Sequence, residues 1–248
     1  MDYSLQKKSV KNSADLLFEF IGTGENVNID LLNYFSIDSA AYLSANDTAK
    51  YDIIYLKSQQ LYKIHNDLFN EKMADLKQIL SVNFSKIDDE LQNIFKIEIK
   101  NKITINFGIC PFCPRFLDDF AFDVCVFEPN WSILQTIVHE LIHFYWFAKI
   151  EGMGYNLTAN EKEIPSLTWL LSEIVVDAIF KNSNLKQFLF NNTPAYQIFY
   201  NSQIGGENVI EVFDNIFKNS KTIEDFVNKS MDYLKENKSE LKLLASKC

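Results

Sequence analysis

The segment His139-Glu140-Leu141-Ile142-His143 sets two imidazoles four residues apart, with a carboxylate beside the first. On an α-helix such residues share a face with their β-carbons about 5 to 6 Å apart, close enough for both rings to converge on one tetrahedral ion. Zinc suits that geometry. Glu140 projects about 100° round the helix from His139, badly placed to bind the same ion but well placed to take a proton from a water beside it. Two core histidines bonded to backbone carbonyls would account for the spacing without any chemistry. Against this, two of the chain's three histidines fall here, and a glutamate deep in an apolar run is costly unless paired or functional. His65, the third, lies in a helical stretch and is expected to be an exposed or capping residue.

A catalytic zinc site needs a third protein ligand and an open position. In the metzincin pattern a glycine would stand at Trp146 and a histidine at Lys149. Neither is present. A later apolar segment, Ser172-Glu173-Ile174-Val175-Val176-Asp177, offers two carboxylates one helical turn apart. Glu163 is the competing third ligand, in the charged stretch Glu161-Lys162-Glu163 ahead of Pro165, which reads as a solvated loop. A ligand is better held on a rigid, buried element with a supporting partner in register.

An HExxH helix followed by a helix carrying ExxxD resembles the gluzincin metallopeptidases, the compact minigluzincins among them, over about residues 101 to 182. The resemblance implies an α+β, mostly helical fold. Its zincin-like core would be a small sheet packed on the HExxH helix with the glutamate helix behind; helical periodicity in the first hundred residues sets an all-helical N-terminal region ahead of it. It implies His139, His143 and Glu173 as Zn²⁺ ligands and Glu140 as the general base. Asp177 would hold the ring of His139, and Ser172 would be a polar partner for His143. The implied activity is zinc-dependent hydrolysis of peptide bonds, with a peptide or protein as substrate. The strand at 120–127 would be a sheet edge to which an extended peptide adds itself. No histidine follows His143 to serve the family's downstream transition-state role, so Tyr155, Tyr196 and Tyr200 are candidates for stabilising an oxyanion. Two other readings keep the zinc: a narrowly specific regulatory protease acting on a protein partner, and a non-catalytic helical interaction protein stabilised by its metal.

These residues must be carried by regular elements. Apolar residues recur at three- and four-residue spacing in 14–21, 51–64, 68–82 and 87–95, predicting short amphipathic helices, with Ser85 as an N-terminal cap of the last. The segments 22–26 and 44–47 read as turns. Ile103, Ile105 and Phe107, then Phe120, Phe122, Val124 and Val126, alternate as strands joined by a loop from Cys110 to Asp119. Ser132 and Gln135 form a capping box for a helix from Trp131 to about Ile150, apolar nearly all round and therefore central. A second apolar helix is expected from about Pro165 to Phe180, then helices at 195–200, 209–217 and 223–234 and a solvated lysine-rich tail. The organisation expected is a helical region over 1–100 and a catalytic region over 101–248.

Composition bounds the partners. The chain has 248 residues, 47% of them hydrophobic, and a net charge of -9 with Arg115 as its one arginine. No basic stripe exists for a phosphate backbone, so nucleic acid is not expected as a partner. No membrane-spanning run or signal peptide is read in the chain, and a cytoplasmic location is expected. Cys110, Cys113, Cys125 and Cys248 are too few and irregular for a disulfide framework, and one CxxC without a matching pair reads as a structural loop.

Overall fold

The computed structural model describes residues 1–24 and 27–247. Glu25 and Asn26 of the turn expected at 22–26, and Cys248, lie outside the described residues. The fold is mostly helical with a small mixed sheet. Its contacts divide the chain into two compact units, neither of them a continuous stretch: one comprises residues 2–80 and 102–133, the other residues 1, 81–101 and 134–248.

The first unit is built on a sheet. Strand β1 (Tyr3–Lys7) leads into helix α1 (Val10–Ile21), α2 (Ile29–Tyr34), α3 (Ser39–Ser44), α4 (Asp47–Ile64) and α5 (Asn66–Phe95), followed by β2 (Ile103–Gly108), β3 (Arg115–Phe116) and β4 (Ala121–Cys125). The side chains of Ser9, Asn28, Asp38 and Asn46 cap α1 to α4 by accepting from backbone N–H groups in the first turn. Asn46 also marks the turn expected at 44–47. His65 is the C-terminal cap residue of α4, its ring edge-on to Phe127 at 5.0 Å.

Strand order is β1-β2-β4-β3, with β1, β2 and β4 parallel and β3 antiparallel to β4. One face carries Ile103, Ile105, Phe107, Phe122 and Val124, all buried. The other carries a polar ladder in register: Gln6 donates to Asn106 at 2.7 Å, Asn106 donates to Asp123 at 3.0 Å, and Lys8 pairs with Asp123. Burial raises the Asp123 carboxyl above its ordinary value, opposed by Lys8 and Asn106. A slip of one residue would bury these polar groups on the apolar face, so the ladder fixes the pairing.

Four expectations are corrected here. The N-terminal region is not all-helical, because Tyr3–Lys7 forms β1; a five-residue strand with polar residues at Ser4, Gln6 and Lys7 carries too little periodicity to read. Helix α5 runs unbroken for 30 residues with Ser85 exposed in its interior rather than capping a new helix. Phe69, Leu76, Leu80, Phe84, Ile87, Leu91 and Phe95 form one buried stripe, and no Gly or Pro interrupts it. The strand at 120–127 is not a bare edge: β3 pairs with it at Ala121 and Phe122, and the Asp123 N–H donates to Pro114 O at 3.0 Å. Helix α6 (Asn130–Gly152) starts ahead of the expected capping box, its first turn closed by Ile133 N–H donating to Pro129 O at 3.1 Å.

The second unit holds most of α6, then α7 (Leu167–Lys181), α8 (Gln197–Tyr200), the hairpin β5 (Gln203–Ile204) and β6 (Glu207–Asn208), α9 (Val209–Lys218), α10 (Ile223–Glu236) and α11 (Lys238–Ala245). Gly205 and Gly206 turn the hairpin with φ of 61° and 86°, values that a two-residue turn of this hand requires and glycine supplies without strain. The lysine-rich tail is not solvated coil. It folds as α11 and buries Leu241, Leu244 and Ala245, because its apolar residues recur at helical spacing among the lysines. Among the described residues, no helix is long and apolar enough to cross a membrane.

Trp146 and Lys149, the positions that break the metzincin pattern, dock α10. Trp146 is fully buried edge-on to Phe226 at 5.8 Å, and Lys149 pairs with Glu224. The Lys149 hydrogen bond and its own backbone N–H hold the Glu224 carboxyl down to about 2. Its depressed value stabilises the fold above the ordinary glutamate value of 4.5 and is lost as pH falls through about 2. Glu224→Gln leaves a buried lysine without its charge partner, and the half-exposed glutamate limits the cost to about 1–2 kcal/mol near neutral pH. The melting-temperature gap between wild type and variant is expected to close between pH 4.5 and 2; a gap unchanged over that range would rule out the ion pair as its source.

Candidate metal centre

Helices α6 and α7 are each apolar nearly all round, so several of the polar groups they carry are buried. On α6, His143 is fully buried and Glu140 is 5% exposed; on α7, Ser172, Glu173 and Asp177 are all buried. Every residue of α7 from Thr168 to Phe180 is buried, and Ser166 caps its N-terminus by accepting from Trp169 N–H at 3.0 Å.

Three of these side chains meet. His139 Nε2 lies 2.9 Å from His143 Nε2 and 3.2 Å from Glu173 Oε2, and His143 Nε2 lies 3.4 Å from the same oxygen. A tetrahedral ion with metal–donor distances of about 2.0–2.1 Å holds its ligand atoms about 3.3 Å apart, so the spacing fits such an ion. His139, His143 and Glu173 form a group that can hold a metal ion, the one group of this kind among the described residues.

Proton bookkeeping agrees with the geometry. His139 Nδ1 lies 2.9 Å from the Pro194 carbonyl, which can only accept, so Nδ1 carries the hydrogen. In the neutral ring Nε2 then presents a lone pair to a carboxylate oxygen and a second imidazole nitrogen. Electron-pair donors this close repel unless a proton or a metal ion lies among them. Glu163, the competing third ligand, is exposed in the segment before Pro165 and stands outside the group.

The supporting residues are arranged differently from the family pattern. Pro194 O, rather than Asp177, holds Nδ1 of His139. Asp177 instead accepts from Tyr200 and pairs with Lys181 at 2.8 Å. Ser172 donates to Trp169 O at 2.7 Å, a bond within its own helix. Of the three tyrosines, Tyr155 follows the end of α6 and donates to Asn228 at 3.0 Å; about two and a half turns of helix, about 13 Å, separate His143 from that end. Tyr200 is engaged with Asp177 and, as acceptor, with Ala195 N–H at 3.2 Å. Burial and the Asp177 carboxylate both push its hydroxyl above the ordinary tyrosine value. Tyr196 stands two residues after Pro194, exposed, with its ring edge-on to Trp169 at 6.1 Å.

A loop that no sequence motif marks reaches His139 through Pro194 O. Gln135, one turn before His139 on the same face of α6, accepts from Phe190 N–H at 3.0 Å and donates to Asn191 at 2.9 Å. Gln135 and His139 together tie residues 190–194 along α6. Gln135, read as a capping-box residue, was the available signal; a carbonyl such as that of Pro194 leaves none. Among the described residues, no cysteine belongs to this group. Cys110 and Cys125 are buried, and burial pushes their thiols up to about 12 and about 11, which keeps them protonated.

No family model, curated protein or solved structure matches the chain.

Proposed function

We propose that the chain is a zinc-dependent metallopeptidase with a zincin-like core of the gluzincin type. The observation that carries this reading is the convergence of His139, His143 and Glu173 donor atoms to within 2.9 to 3.4 Å, with Glu140 beside His139 on the same helix. Two imidazoles and a carboxylate make a donor set used by catalytic zinc, and the set leaves one position of a tetrahedron open.

When bound, zinc supplies Lewis acidity there, lowering the pKa of water and polarising a carbonyl oxygen. Glu140 takes a proton from the attacking water and delivers it to the leaving amine. The three donor residues are fixed by packing: His143 and Glu173 side chains are 0% and 4% exposed, while His139 is 15% exposed and marks the side from which substrate approaches. Of the three tyrosines, Tyr196 is our candidate for the hydrogen-bond donor to the developing oxyanion, because it is exposed and two residues from the carbonyl that holds His139.

Elemental analysis of the purified protein is expected to find a single equivalent of zinc. Hydrolysis of a peptide library should be abolished by a chelator and restored by zinc. Zinc at 100 times its Kd should also stabilise the fold by about 2.7 kcal/mol. A chain with no affinity for zinc overturns the reading. Zinc bound without turnover of any peptide or protein puts the non-catalytic interaction protein in its place.

A further inference from the structure

The His139 support runs through a peptide group. Its C=O, from Pro194, accepts from His139 Nδ1 at 2.9 Å, and its N–H, from Ala195, donates to Tyr200 Oη at 3.2 Å. The Tyr200 hydroxyl in turn donates to Asp177, whose charge is balanced by Lys181 at 2.8 Å. Lys181 also lies over the Tyr200 ring, 4.9 Å from its centroid. Asp177 is 1% exposed and one turn beyond Glu173 on α7.

The polarity of this path is set at each step. A carboxylate accepts only, so Tyr200 spends its one hydrogen on Asp177 and its oxygen is left as an acceptor for Ala195 N–H. That bond fixes the plane of the Pro194–Ala195 peptide and with it the direction of the Pro194 carbonyl. The carbonyl requires hydrogen on Nδ1 of His139, which leaves Nε2 as the lone pair directed at His143 and Glu173. Hydrogen bonds in series polarise one another, so the carboxylate at the far end strengthens the acceptor facing the ring.

We propose that Tyr200 is a positioning residue for His139, acting through the Pro194–Ala195 peptide to select the ring's tautomer and aim Nε2 at the metal. The metal part of this statement rests on the proposed zinc site; the tautomer part does not.

The test uses the full chain labelled with ¹⁵N in its histidine rings; with three histidines, the signals are assignable by substitution. In the metal-free protein, at a pH well above the ordinary histidine value of about 6.5, wild-type His139 is expected as a single Nδ1–H tautomer. Tyr200→Phe, which lacks both the donor and the acceptor, should give a mixture of tautomers. Its zinc affinity, by competition with a chelator, should fall about 10- to 100-fold, the usual cost of removing a ligand's outer support. Tyr155→Phe removes a comparable hydroxyl bonded to Asn228 and should change neither readout. A wild-type His139 carrying hydrogen on Nε2 overturns the proposal without reference to any variant or metal. So does a Tyr200→Phe chain that keeps the wild-type tautomer and affinity. A chain that binds no zinc but shows the expected tautomer change overturns the metallopeptidase reading and leaves the positioning role standing.

Discussion

Glu140→Gln is expected to keep its metal and lose hydrolysis by about 10²–10⁴-fold, the usual contribution of a positioned general base. Glutamine has the same shape as glutamate but its amide cannot take up a proton from water. The residue is 5% exposed on a helix whose neighbours Leu141, Ile142 and Phe144 are buried. An ionised carboxylate there carries a desolvation cost that a neutral amide avoids in large part. The substitution should therefore leave the melting temperature unchanged or raise it, so that loss of rate cannot be traced to loss of fold. Three measurements on one preparation decide the matter: zinc content, thermal melting, and initial rates on peptides. Undiminished hydrolysis would remove Glu140 from the mechanism. A fall of several kcal/mol in stability would make it a structural partner instead.

The parts of the chain that could be read in advance are those in which periodicity and chemistry coincide. Helices α6 and α7 carry long apolar runs interrupted by a few polar residues, and each interruption had to be either satisfied or functional. That reasoning singled out His139, His143 and Glu173, which the fold brings together, and it separated Glu173 from the exposed Glu163. It served less well for Asp177. The spacing places Asp177 one turn from Glu173 but does not specify the groups that approach from elsewhere in the chain. Tyr200 and Lys181 reach its oxygen, while a backbone carbonyl reaches the ring nitrogen. Backbone groups have no residue-type signature, so Pro194 was invisible.

Local propensity also failed where distant segments decide the structure. Strand β1 exists because Gln6 and Lys8 meet Asn106 and Asp123 about a hundred residues away, contacts that no window of sequence contains. Within α5, Ser85 resembles a cap because serine competes for backbone hydrogen bonds. A stripe of seven buried apolar residues from Phe69 to Phe95 outweighs that preference. In the C-terminal segment the lysines were legible as a solvated face, but Leu241 and Leu244 on the opposite face turn it into a docked helix.

Glu173→Ala should reduce zinc affinity by more than the roughly 10- to 100-fold cost of removing a ligand's support, because it deletes a donor atom. Only the two imidazoles 2.9 Å apart would remain. The metal-free protein should tolerate the change better than the size of the deletion implies: a buried carboxylate 3.2 and 3.4 Å from two ring nitrogens is electrostatically favourable only with a proton or cation among them. Zinc should then raise the melting temperature of wild type more than that of the variant. At 1,000 times the wild-type Kd the wild-type rise corresponds to about 4.1 kcal/mol, and a variant that binds at least about 100-fold more weakly gains no more than about 1.4 kcal/mol. Glu163→Ala is the paired measurement. Glu163 is exposed, so its removal should leave both zinc content and the zinc-dependent rise in melting temperature as in wild type. If the two variants exchange behaviours, so that Glu163→Ala loses zinc and Glu173→Ala keeps it, the metal does not sit between α6 and α7. The convergence of His139, His143 and Glu173 would then reduce to a hydrogen-bonded cluster shared by buried side chains.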